Sequence, residues 1–269
     1  MTLEIHYSQI MTWLRCPRQW YDRYWLNLEA NVKASPLSFG HEFHVQKEMW
    51  LKHEPEPVYD VLTDDLVLVG KLFQAWKRWY TAQGLSHTHV EHELRVEVFP
   101  DVVVVGTVDG IVADSSGELW VDETKTTASF DDRHLPLDLQ GRIYDLLAYE
   151  CGLDTSGVKY TQVRKQDPAT AKTDIIKHYD IRHPEASRRI TALTVRETVL
   201  KITNALDLLN SPFVEKTEDF LEMHFTRVAN PLTWMSCFCD FQDACFAALM
   251  GREHEALEDL YHIREDTTK

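Results

Sequence analysis

The segment 102–127 constrains the fold of this 269-residue chain more than any other. Its first half is mostly β-branched and apolar, and the Ser-Ser-Gly at 115–117 has the composition of a tight loop, so the segment predicts a β-hairpin. The return strand, Leu119 to Thr126, begins apolar and then reads VDETKT. Because side chains alternate along a strand, Glu123 and Lys125 point to the same face.

The length of the hairpin loop decides which acidic side chains meet. If Gly117 is the left-handed residue of a three-residue loop, Asp109 lies directly opposite Glu123, with Cβ atoms ~5 Å apart. A loop one residue longer would send one of them to the other face. Opposed carboxylates repel, so we expect a cation between them, either Lys125 or a divalent ion such as Mg²⁺. The alternative is a surface strand whose acidic side chains face water.

The elements around the hairpin predict an α+β fold with a small central mixed sheet, whose strands are mostly antiparallel and which helices flank. We expect a single domain of three regions: helical residues 1–86, a core at 87–182, and a helical, cysteine-bearing region at 183–269. The predicted helices are 39–50, 63–82, 135–151 and 184–209, and the further strands are 92–98, 158–164 and 175–181.

Charge is unevenly distributed along the chain. The formal net charge of −15 argues against sequence-independent electrostatic binding of nucleic acid over the whole surface. Residues 14–25 (LRCPRQWYDRYW) are nevertheless basic and aromatic, whereas residues 252–266 are mostly acidic and are typical of a solvated helix face. No run of apolar residues approaches the ~18 needed to span a bilayer, so we expect a soluble, cytoplasmic protein.

The residues of the hairpin resemble the core of the PD-(D/E)XK nucleases. That family has an Asp on one strand and Glu-x-Lys on the next, which match Asp109 and Glu123-Thr124-Lys125. The resemblance implies a restriction-endonuclease-like α/β core over residues 87–182. It also implies a hydrolase that cleaves phosphodiester bonds with Mg²⁺ or Mn²⁺.

Three further segments resemble the RecB-like branch of that family, in the order in which the branch has them. They match a Gly-x-x-x-His helix, a Gln-x-x-x-Tyr motif after the lysine, and an opening serine-started helix that leads to Cys-Pro and an aromatic helix. With the hairpin, the matches extend from Tyr7 to Cys245. The segments are residues 38–44 (with Gly40 and His44), residues 139–149 (with Gln140 and Tyr144) and residues 7–25.

The resemblance assigns roles to individual residues. It implies that His44, Asp109, Glu123 and the backbone carbonyl of Thr124 hold the metal, and that Lys125 assists the attack on the phosphate. Gln140 and Tyr144, on one helix face, would contact the DNA backbone or orient the lysine. Helical spacing alone supports His41 as a metal ligand as well as it supports His44. Gln140 and Tyr144 also fit the face of an ordinary amphipathic helix.

The cysteines form a second group of candidate ligands. Three of the five lie within residues 237–245, which suggests metal ligation more than disulfides. A resemblance to the iron–sulfur branch of the RecB-like nucleases, which includes CRISPR-associated adaptation exonucleases and phage homologues, implies a [4Fe–4S] cluster. Ser236 stands where that branch has a ligand, so Cys237 is displaced by one. The alternatives are a zinc ion bound by the same four sulfurs and a degenerate site that binds nothing. Cys151 lies outside this set and is expected to be a buried thiol. The four implied ligands are Cys16, Cys237, Cys239 and Cys245.

We therefore expect a metal-dependent DNA nuclease, an exonuclease on single-stranded DNA or DNA ends, acting in recombination, repair or phage DNA processing. The chain shows no Walker A pattern, so unwinding would come from a helicase or recombination partner. Two alternatives are a DNA-binding iron–sulfur module with an inactive nuclease site and a structural zinc protein. The candidate nucleic-acid contacts are Arg15, Arg18, Trp20, Tyr21 and Arg142.

Overall fold

The protein is described by a computed structural model that covers residues 2–31, 35–59, 61–227 and 239–264. The chain divides into two compact units. Unit 1 comprises Met1–Tyr7 and Ser35–Thr194, and unit 2 comprises Ser8–Ala34 and Val195–Lys269. The single domain of three regions stays a prediction. Within the described ranges, no helix is long and apolar enough to cross a membrane.

Unit 1 contains a six-stranded mixed sheet. The strands are β1 (Leu3–His6), β3 (Ser86–Phe99), β4 (Val102–Ala113), β5 (Leu119–Thr127), β6 (Thr155–Arg164) and β7 (Ile176–Arg182). Their order in the sheet is β1-β4-β5-β6-β7, and β3 also pairs with β4. The β1–β4 and β5–β6 pairs are parallel, and the other pairs are antiparallel. The predicted α+β fold with a central mixed sheet is therefore confirmed, although the sequence does not predict β1.

Helices α3 (Ser35–Leu51), α4 (Asp64–Ala82) and α5 (Leu139–Glu150) flank this sheet, and α1 (Tyr7–Arg15) follows β1 along the chain, mostly in unit 2. Thr63 caps α4, because its hydroxyl accepts a hydrogen bond from the backbone N–H of Leu66 at 3.3 Å. The predicted helix 135–151 is divided, because Asp138 has ψ 112° and separates a 3₁₀ turn from α5. Buried aromatic side chains of α3 and α4 form a core with Val163 of β6: Phe39, Phe43, Phe73, Trp76 and Tyr80.

The β4–β5 hairpin has the predicted three-residue loop. Gly117 has φ +84°, which a residue with a side chain rarely adopts. The backbone N–H of Asp114 donates to the carbonyl of Glu118 at 3.0 Å. The pairing that follows ends with Gly110 opposite Asp122, and one further step of this register brings residue 109 opposite residue 123. The sequence-based register is therefore confirmed as far as the ladder extends.

Close packing of α5 against β6 makes Gly141 sensitive to substitution. A methyl group at this position would overlap the hydroxyl of Tyr160, which donates to Asp138 at the start of α5 at 2.8 Å. We expect Gly141→Ala to lower the free energy of unfolding by about 1–3 kcal/mol, measured by urea denaturation. Gly70→Ala in α4 is the matched control, since nothing lies within 4 Å of the added methyl. A Gly141→Ala variant as stable as that control would contradict the packing described here.

Unit 2 combines short helices with a two-stranded sheet. The helix α1 ends at Arg15 and α2 begins at Pro17, because proline fits the first turn of a helix, where its missing N–H is not needed. The small antiparallel sheet pairs β2 (Leu28–Ala30) with β8 (Tyr261–Ile263), and the sequence predicts neither strand. The helices are α2 (Pro17–Trp20), a π-helical turn (Tyr21–Trp25), α6 (Glu185–Asn210, which begins in unit 1), α7 (Glu218–His224), α8 (Gln242–Leu249) and α9 (Glu253–Leu260).

Candidate functional site

Asp109 of β4 lies at the centre of the candidate site. Its Oδ2 accepts a hydrogen bond from the backbone N–H of Thr124 at 3.0 Å and lies 3.1 Å from the ammonium of Lys47. The Nδ1 of His44 is 3.3 Å from the same oxygen. The exposed His41 has no part in these contacts, so the structure favours His44 over His41.

These contacts set the charge of Asp109 and of His44. Burial alone would raise the pKa of Asp109, but Lys47 and His44 outweigh it and hold the pKa below its usual range. Asp109 is therefore a carboxylate at neutral pH. Burial lowers the pKa of His44, which leaves a neutral imidazole. A carboxylate and a neutral imidazole are the forms in which these residues bind metals.

Lys47 is a functional candidate that the sequence analysis does not identify. Its side chain is only 2% exposed, and its ammonium contacts Asp109, Asp122 at 2.8 Å and the hydroxyl of Thr124 at 2.8 Å. Burial would lower its pKa, but the two carboxylates outweigh burial and raise it. Lys47 is therefore a permanent cation within the protein. Its position three residues after His44, on the same face of α3, is the one signal in the sequence.

Glu123, Lys125 and Gln140 form a second group of contacts. The ammonium of Lys125 is 2.7 Å from Oε1 of Glu123 and donates to Oε1 of Gln140. The amide of Gln140 donates to Glu123 at 3.2 Å and to the hydroxyl of Tyr7 at 3.3 Å. Tyr144 is buried and packs edge-on against Tyr7, with ring centroids 4.7 Å apart. Gln140 is thus hydrogen-bonded to the lysine that it is predicted to orient, whereas Tyr144 is buried, and the roles of both residues stay predictions.

The buried carboxylate of Glu123 fits a cation. Burial raises its pKa to about 7, although Lys125 acts in the opposite direction. Its Oε2 is buried and accepts no hydrogen bond from any described residue. A buried oxygen without a partner is energetically costly unless an ion or a proton satisfies it. The carboxylates of Asp109 and Glu123 and the imidazole of His44 are ligand types suited to Mg²⁺ or Mn²⁺.

Asp109 is also one of three residues whose ligand atoms lie close together. Atoms of His44, Glu91 and Asp109 are all within 4.8 Å of one another. Glu123, predicted as a ligand, contributes no atom to this group, and Glu91 is not predicted as one. The sequence-based strand begins at His92, so Glu91 falls outside it, whereas the observed β3 begins at Ser86.

A cavity of about 210 Å³ opens beside Lys125. Its lining includes Thr127 at the end of β5, His134 and Gln162. The amide of Gln162 holds the adjacent loop by exchanging hydrogen bonds with the backbone of Asp131 at 2.9 and 3.3 Å. The loop therefore presents a fixed polar wall next to the lysine.

Three of the five predicted nucleic-acid contacts are buried in unit 2. Trp20 is 1% exposed and stacks on Phe225, and Tyr21 is 7% exposed and packs against the same ring. Arg18 is 4% exposed and forms a 2.7 Å ion pair with Glu253. Their predicted roles in base stacking and phosphate binding do not fit these positions, because the rings fill a core and the guanidinium is paired. Arg15 is exposed and Arg142 half-buried.

The cysteine-bearing region is described in part. Cys16, Cys239 and Cys245 are half-buried in unit 2, and Cys237 lies outside the described residues, as does Ser236. Burial raises the pKa of Cys245 to about 11; Arg227 acts in the opposite direction, and the thiols of Cys239 and Cys16 act in the same direction as burial. The fifth cysteine, Cys151, is exposed at the end of α5, so the expectation of a buried thiol is wrong.

Comparison with known proteins identifies a family-level match. A family model described as "PD-(D/E)XK nuclease superfamily" matches residues 5–246 of the chain. A solved structure described as "Crystal structure of SSO0001" is 19% identical, with a TM-score of 0.37 over 73% of this chain and 75% of that chain. No match is found among curated proteins.

Proposed function

The chain belongs to the PD-(D/E)XK nuclease superfamily, and from that membership we propose that it is a metal-dependent deoxyribonuclease, an exonuclease acting on single-stranded DNA or DNA ends. The observation that carries the proposal is the joined contact set of Glu123, Lys125 and Gln140, beside the carboxylate of Asp109. The pathway would be recombination, repair or phage DNA processing, with a helicase or recombination partner supplying unwound DNA.

Four groups would hold Mg²⁺ or Mn²⁺ in this proposal. They are the imidazole of His44, the carboxylates of Asp109 and Glu123, and the backbone carbonyl of Thr124. The bound ion supplies Lewis-acid chemistry, which polarises the scissile phosphate and lowers the pKa of water. The unpartnered Oε2 of Glu123 and the neutral imidazole support this ligand set.

Lys125 would act on the phosphate directly. Its partners, Glu123 and Asp138 among them, raise its pKa despite burial, so it stays charged at neutral pH. A charged ammonium stabilises the negative charge that grows on the phosphate oxygens and can hold the attacking water. Gln140 fixes the ammonium through its carbonyl oxygen. The cavity beside Lys125 would receive the strand to be cleaved.

Unit 2 would hold a [4Fe–4S] cluster through Cys16, Cys237, Cys239 and Cys245. The location of the three described cysteines in the same compact unit supports this, and zinc is the alternative occupant. Metal analysis of anaerobically purified protein decides between them. Iron and sulfide with visible absorbance support the cluster, whereas zinc, or neither metal, contradicts it.

The proposed activity is tested with end-labelled single-stranded DNA and added Mg²⁺ or Mn²⁺. We expect cleavage that EDTA abolishes and that Asp109→Asn reduces at least about a hundredfold, since metal ligands are commonly worth that much or more. Asp101→Asn, in the exposed turn that precedes the same strand, is the matched control and should cleave normally. DNA binding without cleavage on single-stranded or duplex ends would instead support a binding module with an inactive site.

A further inference from the structure

Two basic residues lie on the face of the sheet that carries Lys125. The β5–β6 register pairs Lys125 with Gln162 and, two residues further, Thr127 with Arg164. The β6–β7 register pairs Gln162 with Lys177. Because side chains of paired residues point to the same face of a sheet, Arg164 and Lys177 share the face of Lys125. Thr127 and Gln162 line the cavity beside this lysine, so both basic residues lie next to its wall.

The ring of Phe130 holds these two cations close together. The guanidinium carbon of Arg164 is 5.3 Å from the ring centre, and the ammonium of Lys177 is 5.0 Å from it. Both distances are within the ~6 Å over which a cation is attracted to an aromatic face. Arg164 also donates a hydrogen bond to the hydroxyl of Thr173 at 2.7 Å. The two like charges are therefore fixed beside one another despite their repulsion.

Neither cation is neutralised by an acidic side chain. In the part of the chain that the structure describes, no carboxylate forms an ion pair with Arg164 or Lys177, and the buried Nε of Arg164 has no hydrogen-bond partner. The acidic residues of the cavity are engaged elsewhere, because Asp131 pairs with Arg133 at 3.2 Å and Asp138 accepts a hydrogen bond from β6. In a chain with a net charge of −15, these cations form a local basic patch that fits an anion.

We propose that Arg164 and Lys177, held by Phe130, bind backbone phosphates of the DNA strand next to the scissile phosphate that Lys125 would contact. The inference rests on the proposed nuclease function and extends it, because it gives the strand a path from the lysine across β6 and β7. Guanidinium and ammonium groups commonly bind phosphate, and single strands lie along basic grooves. A protein of acidic net charge then holds DNA through cations that have no acidic partner.

The test measures binding of an end-labelled single-stranded oligonucleotide by fluorescence anisotropy, with EDTA present so that no cleavage occurs. We expect the double variant Arg164→Gln/Lys177→Gln to bind at least about tenfold more weakly, because two charge-assisted contacts are lost. The slope of log affinity against log salt should become shallower by about 1.4, since each phosphate contact on a single strand contributes about 0.7. With metal added, the cleavage rate at saturating DNA should stay close to wild type, because these contacts hold substrate and transition state alike.

Lys77→Gln is the matched control. Lys77 also lies over an aromatic ring, 5.4 Å from the centre of the Trp50 ring. It belongs to α4, however, whose core includes Val163, and that residue points to the opposite face of β6 from Arg164. The Lys77→Gln variant should therefore keep the affinity and the salt slope of wild type. An equal loss in this variant would show a general effect of net charge and would overturn the inference.

Variants that keep the charge separate a lost contact from a lost fold. Arg164→Lys and Lys177→Arg should keep the salt slope, whereas Phe130→Leu removes only the ring, so the affinity should fall with little change in slope. A double Gln variant with wild-type Tm, affinity and slope, beside wild-type protein that cleaves, overturns this inference alone. Wild-type protein that neither binds nor cleaves DNA overturns the proposed function as well.

Discussion

Replacing Lys125 by methionine is expected to slow DNA cleavage by about 10²–10³-fold, which is the usual cost of removing one charge-stabilising donor from an active site. Methionine keeps the length of the side chain but removes the charge that Glu123 and Gln140 hold in place. The loss should appear in the single-turnover rate at saturating metal. The affinity for DNA should change little, because one phosphate contact among many contributes modestly to binding.

The control for this prediction is Lys201→Met. Lys201 is exposed on α6 and pairs with Glu197 one helical turn away, so its loss should leave cleavage unchanged. Circular dichroism and the Tm of each variant separate a catalytic effect from unfolding. A folded Lys125→Met variant that cleaves within about threefold of wild type would remove Lys125 from the mechanism, since even one such donor is normally worth far more.

Replacing Lys47 by methionine should have the largest effect on stability, a loss of about 3–5 kcal/mol at pH 7. Lys47 is the buried ammonium between Asp109 and Asp122, and its removal leaves both carboxylates without their cation. Urea denaturation measures the loss. Adding Asp122→Asn to the Lys47→Met variant should restore part of the stability, because one of the two stranded charges is then absent. The control is Lys71→Met, an exposed partner of Asp167, with an expected change below ~1 kcal/mol.

The pH dependence of that loss has a definite sign. Lys47 outweighs burial and lowers the pKa of Asp122, so in wild type this ion pair stabilises the protein above the pKa of the unfolded carboxyl. The stabilisation disappears as the pH falls and Asp122 takes up a proton. The difference in unfolding free energy between wild type and Lys47→Met should therefore shrink from pH 7 toward acid. A difference that is constant over this range would contradict the ion-pair account.

The β4–β5 hairpin could be predicted because its information is local. The Ser-Ser-Gly loop requires a left-handed residue at Gly117, and the loop length then fixes the register of the two strands. The restart of a helix at Pro17 is predictable for the same reason, since the constraint lies in one residue. The strand β1 pairs in parallel with residues about a hundred positions away, and no local pattern encodes that partner.

The site residues that sequence reasoning misses depend on packing between distant elements. Lys47 can be identified as a site residue only when α3 is known to lie against β4 and β5. Glu91 can be identified only when β3 is known to begin six residues before the predicted strand. Glu91 also has φ +45°, a backbone conformation that residues with a side chain rarely adopt. The aromatic composition could not show whether Trp20 and Tyr21 stack on DNA bases or pack in a core, because both roles require aromatic side chains.

The alternation of side chains along β5 gives the hairpin a different tolerance for insertions than for substitutions. Asp122 and Thr124 face the ammonium of Lys47, whereas Glu123 and Lys125 face each other and α5. A substitution alters one of these contact sets and leaves the other intact. A single residue inserted into the loop would exchange the two faces and disrupt both sets at once. The length of this hairpin, more than the identity of its loop residues, therefore limits how the chain can diverge while keeping its site.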